Sequence, residues 1–165
     1  MRVSKPPETL VSNPAKKMSF PTLATAFGEN SIRVLAVALD REHAVQLSGD
    51  LLVSSGRVTP EYSTAMVEVL ETHGPYFVIA PGIALAHAKV SDAVISTGLS
   101  LVTLAEPVVF ENEANDPVKL IIGMSAIDHD SHLEMLKELS FLLSDVQTVN
   151  SLLNAVDTEQ IRELF

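Results

Sequence analysis

The chain has 165 residues, 47% of them apolar and 19% charged, a balance that suits a globular chain long enough for one well-filled domain. Its 21 acidic and 11 basic residues give a formal net charge of −10, which argues against nucleic acid or an anionic membrane as partner and allows docking to a basic patch on another protein. No cysteine is present, so disulfides, thiolate metal sites and cysteine nucleophiles are excluded. No apolar run reaches the roughly 18 residues of a membrane span. The N-terminus has Arg2 and Lys5 but no apolar core of a secretory signal, so a cytoplasmic location is expected.

Residues 1–17 combine Pro6, Pro7 and Pro14 with Lys5, Lys16 and Lys17 and read as a loose basic extension. Residues 19–27 suit a short helix with Pro21 in its first turn, ended by Glu29-Asn30, and residues 32–39 suit a strand. Asp40 is an N-cap for a helix over 41–54, with Ala44, Val45, Leu47, Leu51 and Leu52 as its apolar stripe and Gly56 closing it. Thr59 and Pro60 start the next helix, which buries Tyr62, Met66, Val67 and Leu70 and stops at Gly74-Pro75.

Two apolar β-prone runs follow, 76–80 and 83–86, separated by the turn signal Pro81-Gly82. Ser91 or Asp92 suits the cap of a short turn. Residues 98–104 read as a buried strand, 108–110 as a separate short one after Pro107, 111–116 as an acidic loop and 118–127 as a central strand. Residues 128–131 start a helix in which Ser131 and Glu134 have capping-box spacing and Leu133, Leu136, Leu139 and Leu143 form the apolar stripe. Asp145 begins another helix over 146–155, and Thr158 caps a last one running to 165. Strands interleaved with helices predict an α/β single domain, a central sheet covered on both faces.

Five histidines carry most of the titratable chemistry. His87 stands at the end of the apolar run 83–86, and Lys89 is its nearest polar neighbour. A lone imidazole among small side chains suits a nucleophile that a partner must approach. His43, among charged neighbours, reads as a surface residue, and His73, before Gly74, as a cation favoured by a helix C-terminus. His129 and His132, with Asp128 and Asp130, have a spacing that a metal could use, but no third histidine is near in sequence. His132 also falls in the first turn of its helix, where side chains lean towards free amides that can hold an anion.

The segment Gly74 to Lys89, "GPYFVIAPGIALAHAK", resembles the active-site segment of the enzyme IIA proteins of the bacterial sugar phosphotransferase system, in the fructose–mannitol superfamily and its ascorbate-type branch. The likeness continues through "TGLSLVTL" at 97–104, Asn115-Asp116-Pro117-Val118 and His132-Leu133, and spans residues 18–165, leaving 1–17 as an extension. It implies a mixed five-stranded sheet with helices on both faces. It implies a cytoplasmic phosphocarrier that needs no cofactor or metal. In that reading His87 accepts a phosphoryl group from HPr and passes it to a cysteine on a separate IIB protein, whose IIC permease takes up L-ascorbate or a related sugar acid. His132 would stabilise the phosphoryl group.

Three departures stand out. Ala86 takes the place of the usual proline, Val69 stands about where mannitol-type members carry an arginine, and the IIB and IIC parts are absent from the chain. A regulatory, nitrogen-type phosphoacceptor that signals by binding proteins would need the same histidine. A further expectation is that residues 83–86, with Tyr76 or Phe77, border a shallow exposed docking patch. An enclosed cavity over His87 would instead favour direct binding of a small ligand.

Overall fold

The computed structural model describes residues 19–165, so the expected extension over 1–17 lies outside the described residues. Six helices and five strands occur in the order α1 (Pro21–Ala26), β1 (Phe27–Ala36), α2 (Arg41–Ser54), α3 (Pro60–His73), β2 (Val78–Ala80), β3 (Ile83–Ala86), β4 (Gly98–Val108), β5 (Val118–Ser125), α4 (His129–Ser144), α5 (Val146–Asn154) and α6 (Thr158–Arg162). The strands form one mixed sheet in the order β1-β4-β5-β3-β2, with β3 parallel and β4 antiparallel to β5. This is the α/β architecture that the alternation of elements predicts.

Both faces are covered, so the central strands are buried at almost every position. Ile83, Leu85, Leu120, Ile122 and Met124 point to the face packed by α1, α4, α5 and α6. Ala84, Ala86, Val118 and Ile121 point to the face packed by α2 and α3. On that second face the layers approach closely. A Cβ on Gly123 would lie 3.1 Å from Cβ of Ser48, and one on Gly49 would lie 2.8 Å from Cβ of Ser63, so α2 sits hard against both the sheet and α3.

Local chemistry sets most boundaries. Asp40 caps α2 by accepting from the His43 amide at 2.8 Å, and α3 begins with Pro60 and ends at Gly74, whose φ of 58° few other residues adopt. Several expectations are corrected. β1 begins at Phe27, because Glu29-Asn30 does not end the chain's extended run. Asn30, at φ 61°, lies in a bulge between the Phe27 and Ile32 pairings with β4. Tyr76 and Phe77 belong to a 3-10 turn, Gly74–Phe77, rather than to β2. Residues 108–110 do not make their own strand: β4 runs through Pro107 to Val108, the proline falling where the ladder with β5 is irregular.

The cap of α4 is Asp128, which accepts from the Ser131 amide at 2.8 Å, so Ser131 is inside the helix and the capping box does not form. Likewise Asp157, not Thr158, caps α6. The stripe of α4 also differs. Met135, Leu139 and Leu142 are buried, whereas Leu133 is exposed. Glu138 explains the rotation. It is only 7% exposed, and its Oε1 accepts from the amides of Thr22 at 3.1 Å and Leu23 at 3.4 Å, capping α1, whose own Phe20 supplies no cap. Residues 83–86 are core, with Ile83 1% exposed and Ala84 and Ala86 fully buried, so the expected docking patch does not lie there.

Candidate active site

β3 and β5 run side by side, pairing Ile83 with Leu120 through to Ala86 with Gly123, and then separate. Beyond that point β3 delivers His87, and β5 leads through Ala126 and Asp128 into α4 and His132. The divergence opens a cleft of about 430 Å³, partly open to solvent. Tyr62, Val69 and His73 of α3 form one wall, residues 87–90 another, and Met124, Ala126, His129 and His132 the rest. The cleft is thus neither the flat patch nor the closed cavity considered above.

His87 is half-buried at the cleft floor. Its ring centroid is 5.9 Å from that of His132, edge to face, and 5.5 Å from that of Phe77. The Nδ1 atom lies 3.3 Å from the carbonyl oxygen of Leu85. A carbonyl can only accept, so Nδ1 carries the proton and donates it, which leaves the Nε2 lone pair free. Burial holds the imidazole below the ordinary histidine value. The bond to Leu85 opposes that shift and the neighbouring His132 adds to it.

The residue directly after His87 is anchored. Ala88 donates from its amide to the Tyr62 hydroxyl at 3.0 Å, and that hydroxyl donates to the Met124 carbonyl at 2.7 Å. Burial pushes the Tyr62 phenol up to about 12, so it stays protonated. At the α4 end, bonds from the amide and hydroxyl of Ser131 hold the Asp128 carboxyl below its usual range. The first-turn amide nearest His132 is therefore already occupied by a carboxylate, which removes it from the set expected to hold an anion.

Four of the five histidines meet in this cleft; His43 instead accepts from the Leu39 amide at 3.0 Å, in the first turn of α2. His73, expected only as a helix-end cation, faces the same space one turn after Val69. Lys89 adds an ammonium, and no carboxylate lines the cleft. Among the described residues no group of three or more histidine or acidic side chains is placed to hold a metal ion, so His129 and His132 gain no third ligand. The contributions of His73, Lys89 and Tyr62 were not evident from sequence spacing. Only the i, i+7, i+11 pattern of Tyr62, Val69 and His73 on one helix face could have suggested that they share a wall.

Residues 25–165 match the family described as phosphoenolpyruvate-dependent sugar phosphotransferase system, EIIA 2. The chain belongs to this EIIA family. An ascorbate-specific EIIA component from Shigella boydii serotype 4 (strain Sb227) is 41% identical over 140 residues, 84% of this chain and 90% of that protein. The solution structure of the mannitol-specific cryptic phosphotransferase enzyme IIA CmtB from Escherichia coli superposes with a TM-score of 0.78 at 34% identity, covering 87% of this chain and 97% of that one. A complex of enzyme IIA and phosphorylated enzyme IIB of the Escherichia coli mannitol system gives 0.73 at 29% identity, covering 84% and 96%. As an EIIA component, this protein is a phosphotransferase of the sugar phosphotransferase system. No helix among the described residues is long and apolar enough to cross a membrane.

Proposed function

We propose that this EIIA protein is a cytoplasmic phosphocarrier in which His87 takes a phosphoryl group from phospho-HPr and hands it to a cysteine of a separate IIB protein, for uptake of L-ascorbate or a related sugar acid through a IIC permease. The observation that carries the reading is the sign of the cleft. In a chain of net charge −10, its titratable lining consists of Tyr62, four imidazoles and one ammonium, without a carboxylate. Such a lining suits a group that arrives with two negative charges.

The chemistry follows from the tautomer. The Nε2 lone pair attacks the phosphorus of the donor phosphohistidine. The new N–P bond forms as the donor N–P bond breaks, and the donor imidazole leaves with its electron pair. Depression of the His87 titration keeps Nε2 unprotonated near neutral pH. The phosphorylated ring keeps its Nδ1 proton on the Leu85 carbonyl, which makes it a good leaving group when a thiolate attacks. His132 donates to the phosphoryl oxygens in this reading, which its ring centroid 5.9 Å from that of His87 supports.

Docking falls to the cleft rim, since residues 83–86 are buried. Val90, Ile127 and Leu133 are exposed, and each directly follows a cleft residue (Lys89, Ala126 and His132). The ascorbate assignment is supported by 41% identity to an ascorbate-specific component and by Val69 at the place of the mannitol-type arginine.

The test uses enzyme I, HPr and phosphoenolpyruvate with intact-mass detection. One acid-labile phosphoryl group is expected on the wild type and none on His87→Ala. Uptake by His87→Ala would refute the acceptor assignment. Phospho-protein mixed with ascorbate-type and mannitol-type IIB in turn should transfer faster to the first, and equal rates would remove the ascorbate assignment alone.

A further inference from the structure

We propose that the Tyr62 hydroxyl is a positioning group for phosphoryl transfer, a peg that sets the spacing between the strand end carrying His87 and the strand end leading to His132. The proposal rests on the phosphocarrier reading above. Its basis is where the hydroxyl sits. The β3–β5 ladder ends at the Ala86–Gly123 pairing, and the next backbone groups on each side would have no partner as the strands part. The Tyr62 oxygen stands between them, accepting from the Ala88 amide at 3.0 Å and donating its one proton to the Met124 carbonyl at 2.7 Å. The Ala88 carbonyl, at 3.2 Å, is a second acceptor for the same proton. One side-chain oxygen therefore replaces a rung of the ladder where the cleft opens, with His87 one residue from its first partner.

The peg itself is held. Tyr62 is 1% exposed, its ring packs within the α2–α3 face of the core, and the close approach of Gly49 to Ser63 fixes α3 against α2. The residues just before it brace the far end of the same loop. The Thr59 amide donates to the Ala93 carbonyl at 2.8 Å, and the amides of Ile95 and Ser96 donate to the Arg57 carbonyl at 2.9 and 3.0 Å. Residues 57–62 thus anchor the chain after His87 at both ends. A tyrosine needed only for packing would have no reason to bond the two segments that hold the two histidines, and a phenylalanine in its place would leave a part-buried amide and a buried carbonyl unpaired.

Tyr62→Phe keeps the ring and removes the oxygen. With phospho-HPr as donor, KM should stay within about twofold and turnover should fall about tenfold, the pattern of a lost interaction in the transition state. Because the peg acts through the histidine spacing, adding Tyr62→Phe to His132→Ala should cost under about threefold more. Wild-type turnover in Tyr62→Phe, or the full tenfold loss repeated on top of His132→Ala, would overturn the proposal. If Tyr62→Phe does not fold, hydrogen exchange of the wild-type Ala88 amide decides: protection at the level of the β3 amides supports the peg, and exchange at the rate of the exposed Ser91 amide refutes it. Wild-type protein that takes no phosphoryl group from phospho-HPr would defeat the phosphocarrier reading, and the Ala88 exchange would still report on the peg.

Discussion

The two ends of the β3–β5 pair are built from similar materials to opposite effect. At the N-terminal end the polar groups that close the loop answer one another. The two carboxylate oxygens of Asp116 accept from the amides of Phe110 at 2.9 Å and Asn112 at 2.8 Å, Arg41 bonds the Phe110 carbonyl and Glu111, and the Gly82 carbonyl accepts from Lys119 and Leu120. At the C-terminal end His73, His129 and His132 make no side-chain hydrogen bond to the described residues, and His87 makes one. The first end closes a loop. The second gathers nitrogen donors and leaves most of them without a side-chain partner among the described residues. Polar groups that answer one another hold a fold together, and polar groups that converge without answering one another await something from outside.

The largest test of that contrast is Asp116→Ala. It should lower unfolding free energy by roughly 2–3 kcal/mol in urea titrations, because two charge-assisted bonds to partly buried amides are lost. Phosphoryl transfer per folded molecule should stay at the wild-type rate, and a loss of transfer without a loss of stability would break the division. His132→Ala should do the reverse. Onward transfer to IIB, followed by quench-flow, should slow by at least tenfold, or about 1.4 kcal/mol, with the urea midpoint unchanged. Asp128 stands between the two classes, since it caps the helix that carries His132. Asp128→Ala should lower the urea midpoint by less than Asp116→Ala does and slow transfer only a few-fold; loss of one effect without the other would show that α4 holds its first turn by other means.

The smallest effect is in acid. The folded His87 titrates below its unfolded value of 6.5, so the unfolded chain binds the proton first as pH falls. Its contribution is fully present above that value and is lost as pH drops through the depressed folded value. Urea midpoints of wild type and His87→Ala at pH 7.5 and at about 5 should shift so that the wild type loses ground to the variant in acid. A gap between them that does not change with pH would place the imidazole in an environment like water.

Much of this was readable before folding, for reasons that differ by residue. Asp40 and Gly56 act within a few residues of themselves, so local rules located α2 at both ends. His87 and His132 sit in a distinctive run and at a helix start, and the resemblance named them. The errors came where a distant residue decides. Leu133 faces solvent because α4 turns Glu138 inward to cap α1, more than a hundred residues away, and no periodicity rule contains that partner. Ala84 and Ala86 were read as a surface of small side chains because smallness suits approach, but small residues also let helices α2 and α3 lie close to a sheet. The hydroxyl of Tyr62 could be assigned to a buried helix face and nothing more, since its two partners become neighbours only when β3 and β5 pair.

The seam between Gly49 and Ser63 bears on how such a carrier would trade partners. A wall that cannot shift presents the same shape to donor and acceptor, so neither encounter spends time waiting for the carrier to rearrange, and release of one leaves it ready for the next. Adaptation then falls to the visitors: recognition of this protein would be written in the loops of whatever docks on it, and a collection of related carriers would diverge at their rims while the distance between α2 and α3 stayed constant.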